Sequence, residues 1–219
     1  YNAAVAISLR SLSSAYYVSY MIFITITQST LDGFFYQIFP AVLYLNNLGI
    51  TFWGNFFVTF GVLFSAQYLN IWREKQVHRL TFIALIVIGI GLIFSSLFIG
   101  YRATVRLQFL NGIWTVILGL AYGAWQLKKG YKPALYYLMG YGSFLVLMFV
   151  FVLSRSGTIS LGNFFFYHSM QFGSAIEALI LSFGLAAKFR WLQKEKELAQ
   201  SATIENQRIL NEAFARFVP

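Results

Sequence analysis

The chain has 219 residues, 58% hydrophobic and only 11% charged, with a mean hydropathy of +0.66. Soluble domains carry roughly 25% charged residues, so composition excludes an ordinary soluble domain and points to an integral membrane protein. The chain has no cysteine, which excludes disulfides, thiol catalysis and thiolate metal sites. The net charge of +9 requires no nucleic acid, since Lys and Arg gather in the cytoplasmic loops of membrane proteins.

A membrane span needs about 20 mostly apolar residues. Tyr1 to Leu9 is shorter and reads as the last turns of a helix, followed by Arg10 and the Ser-rich turn Ser11 to Ser14. Complete spans are expected near Ala15–Leu31, Ile50–Ile71, Leu80–Ile99, Leu107–Leu127, Ala134–Leu153 and Tyr167–Ala187. With the stub, the expected fold is an all-α seven-transmembrane bundle over residues 1–187, its first helix truncated. The chain opens at Tyr1-Asn2 and stops at Val218-Pro219, and reads as a segment of a longer protein.

Charge counting sets the expected orientation. If the last helix leaves on the cytoplasmic side, the inner loops and ends hold Arg10, Arg73, Lys75, Arg79, Lys128, Lys129, Lys132, Lys188 and Arg190. The outer loops hold only Arg102, Arg106 and Arg155. This asymmetry places the N-terminus outside and the C-terminus in the cytoplasm. The first outer loop, Asp32 to Gly49, carries no Lys or Arg and is expected to lie against the membrane surface. Gly119-x-x-x-Gly123 marks a close helix approach. No internal repeat is visible, which counts against an inverted-repeat transporter.

The last element differs from the rest. Residues His168 to Ala187 are apolar apart from Glu177, and at Lys188 the sequence turns charged without Gly or Pro before Pro219. A spanning helix is therefore expected to continue into a water-soluble one over 188–219. One heptad frame places Phe189, Lys196, Thr203, Leu210 and Phe217 at a, with Leu192, Ala199, Asn206 and Ala213 at d. A second frame uses Ala202 and Ile209. Neither is a strong zipper, so the stalk reads either as a weak coiled coil in a parallel homodimer with two registers or as a solvated helix that orders only with an output domain.

Three stretches carry a family resemblance. They are Tyr1-Asn2 with Tyr16-Tyr17-x-x-Tyr20; Gly33-Phe-Phe-Tyr36-Gln37-Ile-Phe-Pro40; and Gly173-Ser-Ala-Ile-Glu177-Ala-Leu-Ile-Leu-Ser182-Phe-Gly-Leu185 running into Arg190-x-Leu192. Together they resemble the bacterial seven-transmembrane receptors with diverse intracellular signalling modules. The resemblance implies residence in the bacterial inner (plasma) membrane, an extracellular sensory domain before the first span and a cytoplasmic output enzyme after the last. Leu210 to Pro219 resembles the linker before class III adenylate or guanylate cyclase domains, for which ATP and Mg2+ or Mn2+ would be the output domain's needs. Histidine kinase and diguanylate cyclase outputs occur in the same family. No cofactor, metal or catalytic residue is expected in the present segment.

Among single residues Glu177 is the sharpest candidate, an acid at mid-span where insertion costs about 2.5–3.5 kcal/mol. It reads as a polar switch or, more plainly, as a hydrogen-bonded tie between helices. His168 and His78 lack the converging partners a metal needs; interfacial capping suits His168 better than pH sensing. Arg102, Arg106 and Arg155 are read as snorkelling to headgroups, ahead of contact with the sensory domain or an anion site involving Asp32. The cluster Lys128-Lys129-Gly130-Tyr131-Lys132 is topological. A seven-helix receptor with its own ligand is the competing class, but a retinal Schiff base needs a lysine inside the bundle. Only Lys188, at the end of the last span, comes near that requirement.

Overall fold

A computed structural model describes residues 12–38, 43–155 and 163–217. The elements are α1 (Leu12–Leu31), the short α2 (Phe34–Ile38), α3 (Leu43–Tyr68), a 3-10 turn (Ile71–Arg73), α4 (Gln76–Ser95), α5 (Tyr101–Lys128), α6 (Ala134–Arg155) and α7 (Asn163–Phe217). No strand occurs among the described residues. Lipid admits only helices and closed barrels, since backbone amides there must be satisfied within the protein, and the described residues take the helical solution. Side-chain hydroxyls follow the same rule by bonding back one turn, as Thr59 does to Asn55, Ser65 to Gly61 and Ser182 to Ala178.

Among the described residues, five helices are long and apolar enough to cross a membrane: Gly49–Tyr68, Gln76–Ser95, Tyr101–Lys128, Ala134–Ser154 and the stretch beginning at His168. The molecule is an all-helical membrane protein. The expected count of seven is not reached among the described residues, for two reasons. The stub Tyr1 to Leu9 lies outside them. The other is α1, which spans 20 residues but turns Ser13, Ser14, Thr27, Gln28 and Thr30 inward, and these polar residues lower its hydropathy.

α5 shows why these helices belong in lipid. Its buried stripe is Thr104, Asn111, Thr115, Gly119, Gly123 and Gln126, while Phe109 and Trp114 are each 57% exposed. Small and polar residues face in and large apolar ones face out, the reverse of a helix in water. The expected spans shift at their ends. Arg102 and Arg106, read as loop residues, lie in the opening turns of α5, and His78 lies in the first turn of α4. The apolar count alone started both helices too late, because exposed polar residues extend a helix past the hydrocarbon. The first outer loop likewise contains α2 and the beginning of α3.

α3 is the hub. Val62, Phe64, Ser65, Ala66 and Tyr68 are buried, and the helix packs on α1, α4 and α5. The most extensive pairings are α6 with α7 and α1 with α3. Between α1 and α3 the seam is aromatic: Phe23 stacks on Phe56 and Phe60, and Tyr20 lies 5.1 Å from Phe57. Between α6 and α7 it is made by glycines. A Cβ on Gly140 would sit 2.9 Å from Leu181 Cγ, and one on Gly184 would sit 2.8 Å from Tyr136 Cβ. Gly119 and Gly123 receive Tyr137 and Leu138 of α6, so that motif closes α5 on its own bundle.

α5 ends in a turn that fixes α6 beneath α3. Gly130, at φ 89°, lets its own amide reach Leu127 O and the Tyr131 amide reach Gln126 O, both at 3.0 Å. α7 then runs for 55 residues, unbroken through Phe189–Gln193, about 82 Å at 1.5 Å per residue. The expected continuity from span to stalk is present.

Candidate functional site

The side chains that single out α7 lie on the face it turns to the bundle. Gly173, Ser174, Glu177, Leu181, Gly184 and Lys188 are buried on it, at the three- and four-residue spacing of one helical face. Glu177 is fully buried. The Tyr20 hydroxyl donates to its Oε1 at 2.8 Å, while Oε2 has no hydrogen-bond partner among the described residues. Beside it, Tyr17 donates to Ala178 O at 2.8 Å and lies 3.3 Å from Ser182 Oγ. Tyr141 stacks 6.3 Å from Tyr20 and 4.5 Å from Tyr137. Tyr137 in turn donates to Ser65 Oγ of α3 at 2.8 Å. The acid is therefore enclosed by tyrosines from α1 and α6.

Towards the far end the ladder continues. Gln28 Nε2 donates to Ser174 Oγ at 3.0 Å, and Gln171 Nε2 donates to Asp32 Oδ2 at 2.6 Å. Towards the stalk it ends on Lys188, which is 5% exposed. Its Nζ donates to Ser13 Oγ at 3.0 Å, Gln67 O at 2.5 Å and Tyr68 O at 3.1 Å, and lies 5.3 Å from the Tyr68 ring. A cation there meets the carbonyl end of α3, where the helix dipole favours positive charge. Tyr131 also donates to Tyr68 O, at 3.0 Å. Burial pushes the Tyr131 phenol above its ordinary pKa, so it stays a donor. Lys188, counted from sequence as a charge of the inner rim, is thus a buried anchor. Its neighbour Arg190 is the exposed one.

The other expected site residues divide. Phe189 and Leu192 are half-buried, where Trp191 meets the Tyr131 ring edge-on at 6.1 Å. Lys196, Ala199, Thr203, Asn206 and Leu210 are exposed, and residues 193–208 are exposed throughout. The Ile209, Ala213 and Phe217 side chains lie outside the described residues, so neither heptad frame is complete in the described structure. Arg102 and Arg106 are exposed and form no ion pair among the described residues. The Arg155 side chain lies outside the described residues, Asp32 is engaged by Gln171, and His168 is exposed. No arginine cluster with Asp32 is therefore seen. No group of three His, Asp or Glu suited to a metal occurs among the described residues.

Sequence reasoning missed several residues here. Tyr137, Tyr141, Ser65, Tyr68, Tyr131 and Ser13 all line the polar core, as do Tyr17 and Tyr20, which had been noticed only as part of a motif. The available signal was tyrosine repeated at three- or four-residue spacing inside apolar helices (17 and 20; 137 and 141), away from the interfacial belts tyrosine prefers. It also missed the rim on the stalk side. Glu74 pairs with Lys129 at 2.9 Å and accepts from Gln126 at 3.0 Å, and His78 Nδ1 lies 2.6 Å from the Tyr122 hydroxyl.

A polar core buried in a lipid-solvated bundle, opening onto one long projecting helix, defines a membrane signalling module. The chain belongs to the family of 7TM diverse intracellular signalling proteins, whose model matches residues 1–188. No curated protein and no solved structure matches it.

Proposed function

We propose that this module relays an extracellular stimulus across the bacterial inner membrane, with the C-terminus of α7 in the cytoplasm. In this reading two stalks form a parallel homodimer and bring together the halves of an output enzyme, a class III adenylate or guanylate cyclase. The observation that carries the relay is α7 itself: one helix whose membrane half is anchored by Glu177 and Lys188 and whose other half is exposed. A displacement at the buried face has no hinge in which to dissipate. The orientation is supported by Arg73, Lys75, Arg79, Lys128, Lys129 and Lys132 at the Lys188 end. The cyclase is supported by the resemblance of Leu210 to Pro219 to cyclase linkers. The two bundle states need differ by only a few kcal/mol.

The test is to insert one to seven residues, one at a time, between Lys188 and Leu198 of the full-length protein and to assay cyclic-nucleotide production. Output should oscillate with helical phase, each residue turning the stalk by about 100°. Output indifferent to phase overturns the relay. Phase-dependent output of a different chemistry overturns the cyclase alone.

A further inference from the structure

We propose that the bundle is built as two bodies, α6–α7 and α1–α3, that shift against each other along a hydrogen-bonded seam latched by Lys188. The inference rests on α7 being the relay and says where the relay moves.

The seams inside each body are close-packed. In α6–α7, Gly140 receives Leu181 and Gly184 receives Tyr136 with no room for a methyl group, a Cβ on Gly173 would lie a tight 3.1 Å from Leu147 Cβ, and Gly119 and Gly123 hold α5 to α6 as closely. Sliding such a seam would open voids and create clashes, so the pair moves whole. In α1–α3 the Phe23, Tyr20 and Tyr17 rings interlock with Phe56, Phe57, Phe60 and Phe64.

The seam between the bodies has a different character. The α1 and α7 backbones approach each other little. They are joined by long polar side chains: Tyr17 on Ala178, Tyr20 on Glu177, Gln28 on Ser174, and Lys188 on Ser13. α6 and α7 meet α3 through hydroxyls and rings together: Tyr137 and Tyr141 bond Ser65, the Tyr68 and Tyr137 rings stack at 5.8 Å, and Gly184 makes room for the Tyr68 hydroxyl.

Several of these groups already have second partners in reach. Tyr141 lies 3.5 Å from Gly61 O as well as 3.3 Å from Ser65 Oγ, Gln28 lies 3.4 Å from Met170 O, and Tyr17 is shared between Ala178 and Ser182. A small shift exchanges partners without stranding a donor, and Glu177 Oε2 is an unused acceptor for the exchanged state. Lys188 is the exception. Its three acceptors all lie on α1 and α3, so any shift of α7 must withdraw the ammonium from the carbonyl end of α3. That requirement makes it the latch.

The test uses the cysteine-free chain in lipid nanodiscs. Spin labels are placed on lipid-facing positions, Ile22→Cys with Leu179→Cys across the seam and Val146→Cys with Leu179→Cys within α6–α7. These sites are 52%, 63% and 63% exposed for Ile22, Leu179 and Val146. Lys188→Met should give the first pair a second distance population displaced by about 2 Å or more, the scale of helix shifts between signalling states. The second pair should be unchanged.

Should Lys188→Met not fold, Ser13→Ala removes one acceptor and should give the same second population in smaller amount. A change confined to the α6–α7 pair, equal changes in both pairs, or no change in either overturns the proposal. These distances are read without the output enzyme. A shifting bundle with phase-indifferent output would sink the relay alone, and the reverse result would sink the two bodies alone.

Discussion

Replacing Tyr20 by Phe isolates the bond on which the polar core turns. The ring is retained, and with it the contacts to Phe57 at 5.1 Å and to Phe64 and Tyr141 at 6.3 Å. Only the hydroxyl that donates to Glu177 Oε1 at 2.8 Å is lost. Interhelical hydrogen bonds in membranes average about 0.6 kcal/mol and reach about 1.7. The upper part of that range applies here, because Oε2 has no partner among the described residues and the change leaves the whole buried carboxyl without one among them. Stranding a buried polar group costs about 1–3 kcal/mol, so Tyr20→Phe should destabilise by about 1–2 kcal/mol. In a Glu177→Ala background the same change should cost almost nothing, for a coupling of about 1 kcal/mol or more. Reversible unfolding of the four proteins in mixed micelles measures this cycle. A coupling below about 0.5 kcal/mol, the additivity of sites that do not touch, refutes the bond as a support of the core.

Glu177→Gln keeps an acceptor for Tyr20 and should leave folding intact, whereas Glu177→Lys should impair insertion, read as the fraction of protein integrated into membranes. Regulated output lost in Glu177→Gln at normal expression would mark the acid as a switch instead of a tie. Gly140→Ala forces a methyl group against Leu181 and should lower stability by about 1–3 kcal/mol, seen as a lower melting temperature. Glu74→Gln removes a rim ion pair whose lysine side chain is 44% exposed, and its effect on the same melting curve should stay within about 1 kcal/mol. Lys194→Pro, mid-stalk, should kink the helix at a cost of about 3 kcal/mol to the stalk. It should uncouple output from the bundle while the spin-label distances inside the bundle remain unchanged.

The parts of this architecture that one-dimensional patterns encode were readable in advance. Helix-length apolar runs announced α3 to α7, although α3 and α5 begin at Leu43 and Tyr101 against expected starts of Ile50 and Leu107, and the lack of Gly or Pro after Lys188 announced the rod. Glu177 stood out because an acid at mid-span has few ways to exist. Its partners did not, because they come from helices 157 and 36 residues away for Tyr20 and Tyr141, and a tyrosine in an apolar run looks the same whether it meets lipid or an acid. Lys188 was misplaced for a related reason. Next to Arg190 it resembles one more rim charge, and only the end of α3 arriving beside it turns it inward. α1 was legible as a span from Ala15, but which of its polar residues reach another helix was not: Ser13 and Gln28 bond α7 side chains, whereas Thr27 and Thr30 bond back along α1 itself.

The unsupported length of α7 has a mechanical consequence. Past Leu192, its last half-buried residue among those described, the rod extends to Phe217, about 38 Å at 1.5 Å per residue. On a lever arm of that length each degree of tilt becomes about 0.7 Å at the tip, and five degrees about 3 Å. Rearrangements too small to change the outline of the bundle are therefore magnified before they reach whatever the tip carries, and stalk length sets the gain.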